Sequence, residues 1–210
     1  MTAVDAESRP YPVIAIDGPA GSGKSTVSRA LSERLGVERL DTGAMYRAVA
    51  WAALDRGIDL GDRQGVADLA RSLVITVGER VVADGSDITE AIRGAEVSAV
   101  VSAVAANPAV RAVLVECQRQ WVAARRGGVV EGRDIGSVVF PQADLKIYLT
   151  ASESERARRR PEEGADAVAR RDRLDSTRSV SPLGVADGAR VIDTTERSVE
   201  DIVEEVVAWL

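Results

Sequence analysis

Residues 18 to 25 read Gly18-Pro19-Ala20-Gly21-Ser22-Gly23-Lys24-Ser25, directly behind the apolar run Val13-Ile14-Ala15-Ile16 and ahead of a helical pattern. Three glycines let the backbone turn back with positive φ, so that successive N–H groups converge on an anion at a helix N-terminus. In that geometry Lys24 reaches β- and γ-phosphates, and the Ser25 hydroxyl is a ligand for Mg²⁺. The chain has only two lysines, Lys24 and Lys146, among 27 basic residues, yet the loop keeps one of them. An ammonium is a compact point charge that fits inside a ring of amides, whereas a guanidinium is a broad planar fork.

A phosphate loop fixes a nucleotide donor and leaves the acceptor open. The stretch Leu40-Asp41-Thr42-Gly43-Ala44-Met45-Tyr46-Arg47 reads as a strand end, a helix cap at Thr42 and an arginine one turn inside the helix, which makes a second anion site. Val130-Glu131-Gly132-Arg133-Asp134 sets two acids and an arginine at another strand end, the edge where open α/β sheets bind ligands. Ala151 to Arg178 carries Arg156, Arg158, Arg159, Arg160, Arg170, Arg171, Arg173 and Arg178 around Pro161 and Gly164, as in an arginine-bearing cover; the other reading is a solvated face of Glu–Arg pairs. There is no Asn-Lys-x-Asp guanine signature.

Histidine is absent, which excludes an imidazole base and a His-ligated metal. Cys117 is the single cysteine, so no internal disulfide forms and a reducing cytoplasm is the expected compartment. Its spacing with Val110, Leu114 and Trp121 predicts a core position. A net charge of −6, with basic residues spread among acidic ones, argues against a nucleic-acid polymer as partner. Residues 1 to 12 show no signal-peptide pattern and no segment approaches a membrane span, so no membrane partner is expected.

These residues need a scaffold. Apolar runs at Val13–Asp17, Glu38–Asp41, Gly128–Glu131, Leu145–Thr150 and Arg190–Asp193 alternate with helical patterns, which predicts a five-stranded parallel α/β sheet flanked by helices. Helices are expected at 24–35, 43–56, 63–73, 94–105, 107–125, 152–160, 165–175 and 198–209, with Asn107-Pro108 as cap and first-turn proline and Ser152 with Glu155 as a capping box. One domain of 210 residues is expected. Its core is about 12–42, 127–150 and 179–210, its insertion about 43–126, and its cover about 151–178. Val74–Val77 and Val81–Ala83 around Gly78-Glu79-Arg80, followed by Asp84-Gly85, predict a small antiparallel hairpin in the insertion.

Taken with Thr26, the loop, the Asp41–Arg47 stretch, Glu131–Asp134 with Val138-Val139-Phe140-Pro141, and Arg171-Asp172-Arg173-Leu174-Asp175-Ser176-Thr177-Arg178 together resemble the bacterial cytidylate kinases over nearly the whole chain. The resemblance implies a P-loop kinase fold, an inserted substrate-binding subdomain and an Arg-rich lid. It implies transfer of the γ-phosphoryl of ATP to CMP or dCMP with Mg²⁺, in a cytoplasmic monomer. Cytosine offers one amino donor and two acceptors, which suits Asp134 and Arg111. By resemblance Ser102, Thr42 and Tyr46 join the CMP site, Asp175 takes the ribose, and Arg47, Arg133, Arg171 and Arg178 hold the acceptor phosphate or its sugar. Lys24, Arg133, Arg171 and Arg178 are the implied catalytic set, and residues 18 to 26 with Arg156 and Arg160 the ATP site. Asp41 and Glu131 either order metal-bound water or are strand-end carboxylates with structural hydrogen bonds. Between Arg160 and Ala169 the chain is shorter than the family's usual helix-loop-helix lid. The competing readings are a small P-loop kinase acting on UMP, shikimate or dephospho-coenzyme A, and a non-catalytic ATP sensor.

Overall fold

The computed structural model describes residues 10–161, 165–177 and 181–210. Strand β1 (Val13–Asp17) is buried at every position, as a central strand covered on both faces must be. Strands β6 (Gly128–Glu131) and β7 (Leu145–Thr150) flank it, with β2 (Arg39–Asp41) outside β6 and β8 (Arg190–Asp193) outside β7, all parallel. The five expected strands are all present, the second beginning at Arg39. From β1 the chain first builds one side of the sheet and later the other, so a crevice opens at the carboxyl ends.

One face of the sheet packs Ile14, Ile16, Ile147 and Leu149 against Val27 and Leu31 of α1 (Lys24–Leu35) and Ile202 and Val206 of α8 (Val199–Val207). Full burial of each such aliphatic side chain contributes about 1.5–3 kcal/mol. The other face meets α2 (Thr42–Asp55), whose Ala48, Ala50, Ala52 and Ala53 are all buried. Small side chains on several sides of α2 let it lie between the sheet and the insertion.

The insertion continues with α3 (Arg63–Ser72), β3 (Ile75–Val77), β4 (Val81–Ala83), β5 (Ser86–Asp87), α4 (Ala95–Ala105) and α5 (Pro108–Arg125). The hairpin forms as expected, and Asp84 (φ 46°) with Gly85 (φ 83°) turns the chain into a third strand, β5, which lacked a sequence signal because it is two exposed polar residues. Single turns of 3₁₀ helix at Ala91–Arg93 and π helix at Ile135–Val139 were also unanticipated. The cover is α6 (Glu153–Arg158) and α7 (Ala165–Thr177). Among the described residues no single helix is long and apolar enough to cross a membrane.

Two expectations are corrected. Cys117 is exposed. The inward stripe of α5 runs Val110, Leu114, Gln118 and Val122, at a strict four-residue spacing that turns Cys117 outward. At α6, Ser152 Oγ does accept the Glu155 N–H, but Glu155 does not reach back, because its carboxylate is taken by Arg158 and Arg159. The Ser152 N–H goes instead to Thr195 Oγ1.

Candidate active site

The phosphate loop joins β1 to α1, and its shape depends on glycine. At Gly18 (φ 149°) a Cβ would lie 2.1 Å from the Leu149 carbonyl oxygen of β7, and at Gly21 (φ 75°) it would lie 2.7 Å from the Arg156 carbonyl oxygen of the cover. Backbone is closely apposed on both sides, so the loop is held as well as bent. Lys24 Nζ donates to the carbonyls of Gly18 and Pro19, at 2.8 and 2.7 Å. Burial, with Arg133 nearby, lowers this ammonium to about 7, against the pull of Glu131. A phosphate beside it would reverse that shift by supplying the missing negative charge.

At the end of β6, Glu131 is buried and receives Arg39 Nη1 at 2.5 Å and the Ser25 hydroxyl at 2.9 Å. Burial and the neighbouring Asp41 push its carboxyl up, and Arg39 pulls it down. Asp41, not Thr42, caps α2, accepting the Ala44 N–H at 3.1 Å. Thr42 is helical, and its hydroxyl donates to the Glu131 carbonyl at 2.7 Å, tying β2 to β6. Asp17 is structural: it accepts the Ile135 and Gly136 N–H groups at 2.7 and 2.8 Å and so fixes the π turn, while burial raises its carboxyl to about 6.

Ser25 Oγ spends its proton on Glu131 and keeps lone pairs for a cation. Among the described residues no cluster of three or more carboxylate, thiol or imidazole groups could hold a metal alone. Such a donor set fits Mg²⁺, which takes few protein oxygens and completes its shell with phosphate and water.

The opposite end of the crevice holds a buried ion pair. Arg111 from α5 meets Asp134, with 3 % and 4 % of each residue exposed. Arg111 also lies over the Tyr46 ring at 5.5 Å and donates to the Ala105 carbonyl at 3.4 Å. Arg47 reaches across to the Ile92 carbonyl and the Ser98 hydroxyl, both at 2.9 Å. Ser102 lines the same wall.

Between the two ends, Arg133 donates to Gly18 O at 3.3 Å and pairs with Asp172 and Asp175 of α7 at 3.0 and 3.2 Å. Arg156 donates to Ala20 O at 3.3 Å and pairs with Asp172, while Arg159 reaches Gly21 O and Thr194. Arg160 also lines the crevice, which encloses about 770 Å³. Of the residues inferred from the sequence, Lys24, Ser25, Thr26, Asp41, Thr42, Tyr46, Arg47, Ser102, Arg111, Glu131, Arg133, Asp134, Arg160 and Asp175 all face this one space. Arg178 lies outside the described residues, as does the side chain of Arg171. Sequence reasoning missed Arg39 and Asp172. Arg39 sits in a strand two residues before Asp41 with no local signal, and Asp172 lies inside the Arg171–Arg178 stretch but received no role of its own because its partners are remote in sequence.

A family model described as cytidylate kinase matches residues 14–210. A cytidylate kinase of Pelotomaculum thermopropionicum is 49% identical over 216 residues, covering 94% of this chain and 95% of the relative. One of Rhodococcus jostii is 49% identical over 208 residues, covering 91% of each. Among solved structures, a shikimate kinase from Acinetobacter baumannii aligns with a TM-score of 0.51 at 16% identity, covering 95% of this chain and 92% of that one, which bears on fold alone.

Proposed function

The chain belongs to the cytidylate kinase family, and from that premise we propose how its crevice moves the γ-phosphoryl of ATP to CMP or dCMP. The observation that carries the reading is one continuous crevice with the Lys24 loop at one end and the buried Arg111–Asp134 pair at the other. At the acceptor end, Asp134 takes the cytosine amino group and Arg111 the ring nitrogen and carbonyl, with Tyr46 and Ser102 bounding the base. Arg47 and Arg133 hold the acceptor phosphate and Asp175 the ribose, and the family resemblance gives Arg171 and Arg178 the same phosphate or its sugar.

The attacking oxygen belongs to a phosphate already ionised at neutral pH, so no base has to remove a proton. The reaction rests on alignment and charge neutralisation. Loop amides and Lys24 grip the donor, Arg133 and Arg160 face the transferring group, and Arg156 braces the phosphate loop at Ala20. Ser25 would hold a Mg²⁺ ion, with Asp41 and Glu131 within reach of its waters, and the ion would supply neutralisation of charge on the donor phosphates. The insertion at about 43–126 acts as the acceptor-binding subdomain and residues 151–178 as the cover that excludes water. The lone cysteine fits a reducing cytoplasm, and the reading is of a monomer in pyrimidine nucleotide metabolism.

A coupled assay with ATP and Mg²⁺ is expected to give saturable turnover with CMP and dCMP and much slower turnover with UMP. Comparable rates with UMP, shikimate or dephospho-coenzyme A, or tight ATP binding without transfer, would overturn it.

A further inference from the structure

The cover carries a carboxylate with an unusual set of partners. Asp172 lies on α7, remote in sequence from the loop, yet its Oδ1 accepts the Ala20 N–H at 2.9 Å and Arg133 Nη1 at 3.0 Å. Its Oδ2 pairs with Arg156 Nη1. One side chain therefore joins the phosphate loop, the turn after β6 and helix α6. Its side chain is 14% exposed and those of Arg133 and Arg156 are 19% and 12% exposed, so solvent screening at the junction is weak.

We infer that Asp172 is a positioning residue for phosphoryl transfer, an anionic hub that holds Arg133 and Arg156 side by side against the phosphate loop. The inference rests on the reading of the crevice as a kinase site. Two guanidinium groups brought to one loop repel each other, and Lys24 adds a third cation. A shared carboxylate offsets that repulsion. The arithmetic of donors leaves the arginines competent: each guanidinium has five N–H groups. On Arg133, Asp172 and the Gly18 carbonyl use Nη1 and Asp175 reaches Nη2, which leaves Nε–H and one Nη2 N–H; on Arg156, Asp172 and the Ala20 carbonyl both use Nη1, which leaves Nε and Nη2 for other acceptors such as phosphate oxygens. Asp175 adds a second anion on Arg133. Among the described residues Arg156 pairs with the carboxylate of Asp172 and is anchored otherwise by the Ala20 carbonyl. Arg156 therefore depends on the hub most.

A purely structural latch makes a different prediction, and Asp172→Asn separates the two. Asparagine keeps the shape and a carbonyl oxygen for the Ala20 N–H, but it removes the charge that binds two guanidiniums. The experiment measures kcat and KM for ATP and CMP in the whole enzyme for D172N, D172A, R156A and D172N/R156A, with ATP hydrolysis in the absence of CMP. Loss of a charge-assisted contact to each arginine is expected to lower kcat by about thirtyfold or more in D172N, as in D172A, with KM for CMP changed less than about threefold. D172N in the R156A background is expected to cost less than half that factor, and hydrolysis relative to transfer is expected to rise. D172N with wild-type kcat, or losses that multiply independently in the double variant, would overturn the inference. Should D172A fail to fold, D172N and the double variant still decide it. An unsubstituted enzyme that fails to phosphorylate CMP would instead refute the kinase reading itself, so the two failures are distinguishable.

Discussion

Removing the Asp134 carboxylate tests the acceptor end of the crevice, and its consequence for stability follows from burial. Asp134 and Arg111 are almost wholly enclosed, and among the described residues the other groups on Arg111 are neutral: the Ala105 carbonyl at 3.4 Å and the Tyr46 ring at 5.5 Å. In D134A the guanidinium stays buried without its counter-charge, which costs about 3–5 kcal/mol. At about 2–4 °C per kcal/mol for a chain of this size, the midpoint of thermal unfolding falls by roughly 6–20 °C. The double variant R111M/D134L removes both charges and packs apolar volume in their place, so it is expected to recover most of that loss. Activity is expected to behave differently. If the pair reads cytosine, each variant loses roughly 5- to 150-fold in kcat/KM for CMP relative to UMP, from about 1–3 kcal/mol of base discrimination, and the double variant does not regain it. Thermal melts and initial rates with both acceptors check the two halves. A double variant no more stable than D134A would refute the stranded-charge argument, and a CMP/UMP ratio unchanged in both variants would refute base reading.

Lys24→Ala is expected to lower kcat by at least about a hundredfold without lowering the thermal midpoint, because it removes a cation whose burial the fold disfavours; an unchanged kcat would count against the donor site. Burial holds Lys24 near 7, below its value in the unfolded chain, so its charged form costs stability below that pH and the cost fades as pH rises toward the ordinary lysine range. Binding of an inert ATP analogue is expected to raise the ammonium again and take up protons near pH 8, seen by calorimetry in buffers of different ionisation enthalpy; zero uptake there would refute this. Arg39→Ala removes a cation that keeps Glu131 ionised, so the acidic limb of the rate profile is expected to move up by about one pH unit. An unmoved limb would show that Glu131 does not need to be ionised for turnover.

The sequence by itself determined the parts whose geometry is set by contiguous residues. The phosphate loop follows from three glycines between a buried strand and a helix, the sheet from five short apolar runs, and the Asn107-Pro108 helix start from local capping chemistry. The hairpin was equally local, whereas β5 and the π turn were invisible because polar residues and a backbone held by a distant Asp17 leave no periodic trace. Only the tertiary structure decided which charges meet. Arg39 finds Glu131 across 92 positions, and Asp172 finds the Ala20 amide across 152. Burial in an uneven crevice makes such pairings worth several times their value in water, and burial is a property of the packed chain rather than of any segment of it.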